Sequence, residues 1–111
     1  MNLSFDNRFV NDLPGDSITD RGTRQVRGAV WSRVNPTHVP KPTTAAVSAE
    51  MCEAIGISPA EASSELFSQV FGGNQLLDGM DPIATCYGGH QFGNWAGQLG
   101  DGRAITLGEI V

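Results

Sequence analysis

The sequence is poor in the residues that build disulfide-stabilised domains. It has two cysteines, Cys52 and Cys86, and neither CxxC nor CxxH spacing accompanies them. This absence excludes the common zinc sites. Free thiols in a reducing compartment are favoured over a disulfide, because small disulfide-stabilised domains usually carry more cysteines.

Long apolar runs and an excess of basic residues are also missing. No apolar stretch is long enough for a membrane span, and no basic segment followed by an apolar stretch predicts a signal peptide. We therefore expect a cytoplasmic location. Seven Lys and Arg against twelve Asp and Glu give a formal net charge of -5, which argues against non-specific binding to nucleic acid or to an anionic membrane. Any phosphate binding must be local.

The composition is that of an ordinary globular domain, with 40% hydrophobic and 17% charged residues. We expect an α+β fold in two parts. Residues 1–42 read as an extended N-terminal docking arm and a proline-rich connector, and residues 43–111 as two helices followed by a glycine-rich β-hairpin. The isolated apolar residues of the arm are expected to pack outside this chain or to remain mobile. Within the arm, residues 29–34 favour a short strand ended by Asn35-Pro36.

The first predicted helix covers residues 43–55, where apolar residues recur at helical spacing. Thr43 or Thr44 would cap it, and Gly56 would end it. Its apolar positions are Ala46, Val47, Met51, Ala54 and Ile55.

The second predicted helix begins at a capping box. Ser58 can cap it, Pro59 suits the first helical position, and Glu61 completes the box. The helix is expected to run to about Phe71 and to end at Gly72-Gly73-Asn74. Its predicted buried face consists of Leu66, Phe67, Val70 and Phe71.

Glycines are concentrated in the last third of the chain. In Gly97 to Arg103, glycines at 97, 100 and 102 would let backbone N–H groups approach an anion without a Cβ in the way. Arg103 adds a permanently charged fork suited to phosphate oxygens. Residues 104–107 favour a strand, so we expect a hairpin in which a glycine turn joins two strands. Neither GxxxxGK[ST] nor GxGxxG is complete, and the pattern alone leaves a phosphate loop and an ordinary glycine turn open.

Other residues of this region also leave two interpretations open. Asp101 is either a turn-forming residue or a carboxylate that a metal or Arg103 must neutralise, and the turn role is favoured. His90 is favoured as a hydrogen-bonded structural histidine over a metal ligand. Glu109 is either a metal-binding or ion-pairing carboxylate or, more commonly, an exposed residue at a strand end. The aromatics that could stack on a purine, although core positions are commoner for such residues, are Tyr87, Phe92 and Trp95.

The run YGGHQFGNWAGQLGDGRAITLGE, residues 87–109, closely resembles the sequence pattern of the selenoprotein O family, also called the YdiU family. Residues 34–37, residues 71–74, Gly79, Pro82 and Ala84 follow the same family's pattern in the same order. The resemblance implies the N-terminal portion of a protein-kinase-like fold, residues 43–111 being part of its N-lobe. It also implies ATP bound in a flipped orientation and transfer of AMP to protein hydroxyl groups. Carried over by position, the family's ATP contacts fall on Gly100, Gly102 and Arg103.

The same resemblance implies that most of the protein is missing from this chain. Members of the family are several times longer, and their ATP-pairing lysine, catalytic aspartate and magnesium ligands would follow Val111. We therefore expect no catalytic and no metal-binding residue here, and no activity from these residues alone. Lys41, the only lysine, lies upstream of the loop and is not that lysine. A free strand edge at Ile110-Val111 predicts marginal stability or self-association through this edge.

Three functions follow. The first is the N-terminal fragment of an ATP- and Mg²⁺-dependent protein adenylyltransferase, whose partners are ATP and protein substrates. The second is a non-catalytic protein-interaction module in which the glycines serve only turns. The third is phosphotransfer on the same kinase-like scaffold, which these residues do not distinguish from adenylylation.

Overall fold

The computed structural model describes residues 1–20, 22, 24–102 and 104–111. Within them, three strands form an antiparallel sheet in the order β1-β2-β3, and four short helices precede or lie between the strands. The elements in chain order are α1 (Arg8–Asp12), β1 (Trp31–Arg33), α2 (Ala49–Ala54), α3 (Pro59–Ala62), α4 (Glu65–Phe71), β2 (Ile83–Gln91) and β3 (Asn94–Asp101). The predicted α+β class is confirmed. None of the helices in these ranges is long and apolar enough to cross a membrane.

One small core joins the arm to the sheet. Val10 of α1, Trp31 of β1 and Ile83 of β2 are buried together, and Phe9 packs against them. The Trp31 indole N–H donates to the carbonyl oxygen of Leu13 at 3.1 Å. The arm thus packs on this chain's own sheet, and the expectation that its apolar residues need a surface elsewhere is wrong for Phe9 and Val10.

A second core joins the start of the arm to the helices. Cys52, Ile57 and Ala62 are buried together. The partly buried residues that pack against this cluster are Met1, Leu3, Ile55 and Phe67. Since the two clusters take apolar residues from both ends of residues 1–10, the arm connects the helices to the sheet.

The C-terminal edge is paired, contrary to expectation. Phe5 forms an antiparallel bridge with Ile110. The Val111 N–H donates to the Ser4 carbonyl at 3.1 Å, and the Asp6 N–H donates to the Glu109 carbonyl at 2.9 Å. The arm therefore supplies the hydrogen bonds that the sequence left open, and the reason to expect self-association through Ile110-Val111 falls away.

The first helix begins later than predicted. Ser48, and neither Thr43 nor Thr44, caps α2, and its hydroxyl accepts the Met51 N–H at 3.1 Å. Thr44 is engaged elsewhere, with its Oγ1 2.7 Å from the Ser68 Oγ on α4. Residues 43–48 are non-helical, and within them Thr44 contacts a distant helix.

The predicted second helix is two helices. The capping box is present as predicted, since Ser58 Oγ accepts the Glu61 N–H and the Glu61 carboxylate accepts the Ser58 N–H. The helix is interrupted at Ser63 and Ser64. The Ser64 hydroxyl caps α4 by accepting the Phe67 N–H at 3.2 Å. The C-terminal end is as predicted: α4 stops at Phe71, and Gly73 takes a φ of 80°.

The Glu61 carboxylate makes the stability of the fold decrease in acid. The Ser58 backbone N–H, the Ser58 hydroxyl and the N-terminal amine lower the pKa of Glu61 from 4.5 to about 2. A lowered pKa stabilises the fold above the unfolded pKa, and the contribution disappears as the pH falls from about 4.5 to about 2. Urea unfolding of Glu61→Gln should therefore show a smaller loss of stability between pH 5 and pH 2.5 than the wild type. Glu53→Gln, an exposed site on α2, should keep the wild-type loss; equal curves for wild type and Glu61→Gln would contradict the prediction.

Candidate functional site

The glycine-rich segment folds into a hairpin of β2 and β3. Its tip is a two-residue turn, Phe92-Gly93, between the paired residues Gln91 and Asn94. Phe92 has a φ of 51° and Gly93 a φ of 81°, which is the positive pair that a type I′ turn requires. The hairpin is confirmed, but the predicted turn at residues 97–103 is misplaced by several residues.

Gly97 and Gly100 lie within β3 and not in a turn. The register slips twice along the hairpin, between Tyr87 and Gly88 and between Gly88 and His90. Gly97 has a φ of 76° and Gly100 a φ of 98°, and such left-handed glycines are typical of β-bulges. Residues 104–107 do not form the predicted strand; within them, Thr106 alone makes a bridge, to Ile83.

Two of the three predicted ATP contacts, Gly100 and Gly102, lie in different surroundings. A Cβ at Gly100 would have no atom within 4 Å, so the space above this backbone is open. The Gly102 N–H already donates to the Thr85 carbonyl at 2.8 Å. Gly102 can therefore let a ligand approach closely, but this N–H is not free to bind it. Arg103 lies outside the described residues.

Asp101 points toward β1, which the sequence did not predict. Its Oδ1 lies 3.4 Å from the Ser32 Oγ and 3.5 Å from the Cys86 Sγ, both of which donate to it. Burial, followed by the Asp101 carboxylate, raises the pKa of the Cys86 thiol, which disfavours its thiolate form. No local signal could have revealed the Ser32 contact, because 69 residues separate the two.

A cavity of about 570 Å³ adjoins Asp101. The two arginines in its described lining are already paired, Arg24 with Asp16 and Arg33 with Asp81. The Arg33 guanidinium donates two hydrogen bonds to the Asp81 carboxylate, at 3.0 and 2.8 Å. This hydrogen bonding is the main cause of the lowered pKa of Asp81. The Arg33–Asp81 pair therefore links the end of β1 to the residues just before β2, and the Arg24–Asp16 pair links two parts of the arm.

The aromatic residues of the hairpin are exposed, although core positions were favoured for them. Tyr87 is 48%, Trp95 63% and Phe92 101% exposed. His90 and Trp95 are cross-strand partners, with ring centroids 5.1 Å apart in an edge-to-face arrangement. His90 thus contacts an aromatic ring, and in the described part of the chain no group of three or more His, Cys, Asp or Glu could hold a metal ion.

Glu109 is part of the attachment of the arm. Its carboxylate accepts the Phe9 N–H at 2.7 Å, and its own N–H donates to Asn7 Oδ1 at 3.1 Å. The Asn7 amide donates to the Gly79 carbonyl at 2.7 Å. Glu109 therefore satisfies a backbone donor of the short helix α1, a role that neither interpretation of the sequence included.

Comparison with known proteins shows to which class the similar relatives belong and to which family this chain belongs. Among curated proteins, similar relatives are "Protein nucleotidyltransferase YdiU" of Azoarcus sp. (strain BH72), 62% identical over 109 residues, and the protein of the same name from Tolumonas auensis, 59% identical over 109 residues. A family model described as "Protein adenylyltransferase SelO" matches residues 21–111, a range that contains the whole sheet. The chain belongs to the SelO family, and the resemblance seen in its sequence is confirmed.

The matches cover almost all of this chain but a small part of each relative. For both proteins they include 98% of the chain and 21% of the relative. The YdiU protein of Rhodopirellula baltica is 59% identical over 98% of the chain and 20% of its own length. The chain thus spans about a fifth of the length of the curated relatives it matches.

Proposed function

We propose that this chain supplies the glycine-rich, phosphate-binding hairpin of an ATP-dependent protein adenylyltransferase, with residues 43–111 forming part of a kinase-like N-lobe. AMP would pass from ATP to a Ser, Thr or Tyr hydroxyl of a protein substrate. The observation that carries the proposal is the hairpin itself: Gly97 and Gly100 take left-handed conformations in β3 with no atom within 4 Å of their Cβ positions. A backbone of this kind lets a phosphate group approach closely.

The proposed contacts differ in what they contribute. Gly100 provides the bend and open space, Gly102 the close approach, and Arg103 a charged fork for phosphate oxygens. Adenylyl transfer also needs a divalent cation to neutralise the phosphates. On the family resemblance, the Mg²⁺ ligands and the catalytic residues are proposed to lie outside this chain, and these 111 residues to be inactive alone.

A chimera tests the nucleotide-binding role. The 111 residues replace the matching segment of the Azoarcus relative, and binding of ATP with Mg²⁺ is measured by calorimetry and by thermal stabilisation. Arg103→Ala should weaken ATP binding about 10-fold or more, because a charge-assisted contact is lost. Arg8→Ala removes an arginine whose side chain is 73% exposed in α1 and should leave binding unchanged.

Alanine variants of two glycines distinguish the loss of a ligand contact from an effect of backbone strain. Gly100 and Gly56 both have a positive φ, of 98° and 77°, and neither would have an atom within 4 Å of an added Cβ. Alanine at either site should therefore cost a similar amount of stability, about 1–2 kcal/mol. Only Gly100→Ala should also weaken ATP binding; equal ATP affinities for the two variants would contradict the role of Gly100.

The position of the radiolabel distinguishes the competing functions. Transfer from α-labelled ATP indicates adenylylation, and transfer from γ-labelled ATP alone indicates phosphotransfer. A chimera that folds but shows neither nucleotide binding nor stabilisation by ATP supports the protein-interaction module. Labelling of a protein by the 111-residue chain alone would contradict its proposed inactivity.

A further inference from the structure

A groove with a largely apolar lining lies between α2 and α3, and we call it the helical groove. Its volume is about 630 Å³, within the range of about 300–1,000 Å³ that is usual for ligand-binding cavities. Cys52, Ile57 and Ala62 of the second core form part of its lining. Val47, which also lines the groove, is 43% exposed. The groove therefore gives a ligand access to apolar surface beside the second core.

The hydroxyl groups of the helical groove are engaged within the chain. The Ser58 hydroxyl accepts the Glu61 N–H at 3.3 Å and donates to the Glu61 carboxylate at 2.8 Å. The Ser63 hydroxyl donates to the Pro59 carbonyl at 3.0 Å. A small polar ligand needs a few convergent polar groups that fix its orientation, and these hydroxyls already have partners. The groove is therefore better suited to apolar side chains than to a small polar molecule.

The chain around the helical groove is acidic. Among the described residues that line the groove, Glu53 alone is charged. Glu50 lies three residues before Glu53 on α2, so the two carboxylates are neighbours on the helix surface. Residues 42–80 contain no Lys or Arg, and their acidic residues are Glu50, Glu53, Glu61, Glu65 and Asp78. The groove thus combines apolar surface with negative charge.

This combination determines which occupant fits. A second copy that presented the same face would bring like charges together, which is unfavourable. A segment with Lys or Arg beside its apolar side chains complements both the charge and the apolar surface. Grooves between helices bind such amphipathic segments in other proteins through apolar anchors.

We propose that the helical groove binds a segment of a partner protein that carries apolar side chains beside Lys or Arg. The apolar side chains pack against Ile57 and Ala62, and the basic groups lie toward Glu53 and Glu50. This interaction goes beyond the proposed nucleotide binding and does not depend on it, because none of the described lining residues belongs to β2 or β3.

A set of three labelled peptides tests the chemistry of the occupant. The first consists of about 14 leucine and lysine residues, with leucine at helical spacing. In the second peptide glutamate replaces each lysine, and in the third serine replaces each leucine. Fluorescence anisotropy with the folded chimera should show binding of the leucine–lysine peptide that is about 10-fold or more tighter than that of either comparison peptide, because the groove requires apolar surface and positive charge together.

Matched variants test the position of the site. Val47→Ser should weaken binding of the leucine–lysine peptide about 5- to 10-fold, because apolar contact is lost. Leu76→Ser is the control, since Leu76 is 41% exposed and is not among the described lining residues. Glu53→Gln should weaken binding about 2- to 5-fold and reduce its dependence on salt. Asp78→Asn removes the same charge outside the described lining and should leave binding unchanged; thermal unfolding establishes that each variant is folded.

Several outcomes would overturn the proposal. Equal weakening by Glu53→Gln and Asp78→Asn would mean that the peptide is attracted to the acidic surface in general. Unchanged binding in Val47→Ser would exclude the groove as the site. Absence of binding to the folded chimera would overturn a partner site, and binding to the separate 111-residue chain alone would mean that other residues of the whole protein cover the groove. Val47→Ser should leave ATP binding by the chimera unchanged, so a failure here and a failure of the proposed function are distinguishable.

Discussion

Replacing Ile83 with alanine is expected to destabilise the chain by about 2–5 kcal/mol, because it removes most of a side chain from the core under the sheet. Ile83 is 2% exposed and contacts Val10 and Trp31. Its backbone pairs with Arg33 on one side and exchanges two hydrogen bonds with Thr106 on the other, at 3.0 and 2.9 Å. Movement of the backbone to fill the cavity is therefore restricted. Since small domains are stable by about 5–15 kcal/mol in total, much of the stability would be lost.

Urea unfolding followed by circular dichroism measures this loss. Ile18→Ala is the matched control, because Ile18 is 50% exposed and the same substitution on a surface should change stability by about 0.5 kcal/mol or less. If Ile83→Ala and Ile18→Ala cost the same, the arm, β1 and β2 do not share a core in solution.

Replacing Gly15 with alanine is expected to cost about 1–3 kcal/mol, because the new methyl group would overlap the buried indole of Trp31. This ring has little freedom to move. Its N–H donates to the Leu13 carbonyl, and the Arg33 guanidinium lies 4.9 Å from the ring centroid. Gly15 also pairs with Trp31 through a parallel bridge, so the backbone cannot retreat without losing this contact.

A double-mutant cycle shows whether the indole causes the effect. Gly15→Ala should cost less in a Trp31→Phe background, because the smaller ring leaves room for the methyl group. Gly89→Ala, whose methyl group meets an ordinary contact, should cost clearly less than Gly15→Ala in the wild-type background. A cost of Gly15→Ala that is independent of residue 31 would contradict the steric explanation.

Helix ends were predictable where the signal is contained in a few adjacent residues. The capping box of Ser58 and Glu61 is present, and α4 ends before Gly72. The start of α2 was not predictable in this way, because Thr44 contacts Ser68, 24 residues away. Periodicity was also too coarse to define the buried face: Met51 is 59% exposed, and the adjacent Cys52 is buried. Phe71, predicted to be buried, is 44% exposed.

The existence of the hairpin was predictable, but the position of its turn was not. Glycines at 93, 97, 100 and 102 all permit a turn, so composition does not select among them. The close approach of Gly88 to the Gly97 carbonyl, together with the pairing of His90 with Trp95, fixes the register and leaves Phe92-Gly93 at the tip. The phosphate contacts Gly100, Gly102 and Arg103 remain a prediction from the family resemblance.

By itself, the sequence determined the α+β class, the capping box, the end of α4, the glycine-rich hairpin and the SelO family, because each is encoded in adjacent residues or in a contiguous motif. Only the tertiary structure decided that the arm pairs with Ile110 and Val111, that Glu109 accepts the Phe9 N–H and that Trp95 is exposed across Gly88. The first two join residues about 100 positions apart, and the third depends on strand register. Such contacts arise when distant segments exclude water and satisfy each other's hydrogen bonds, and no local pattern specifies which segments meet.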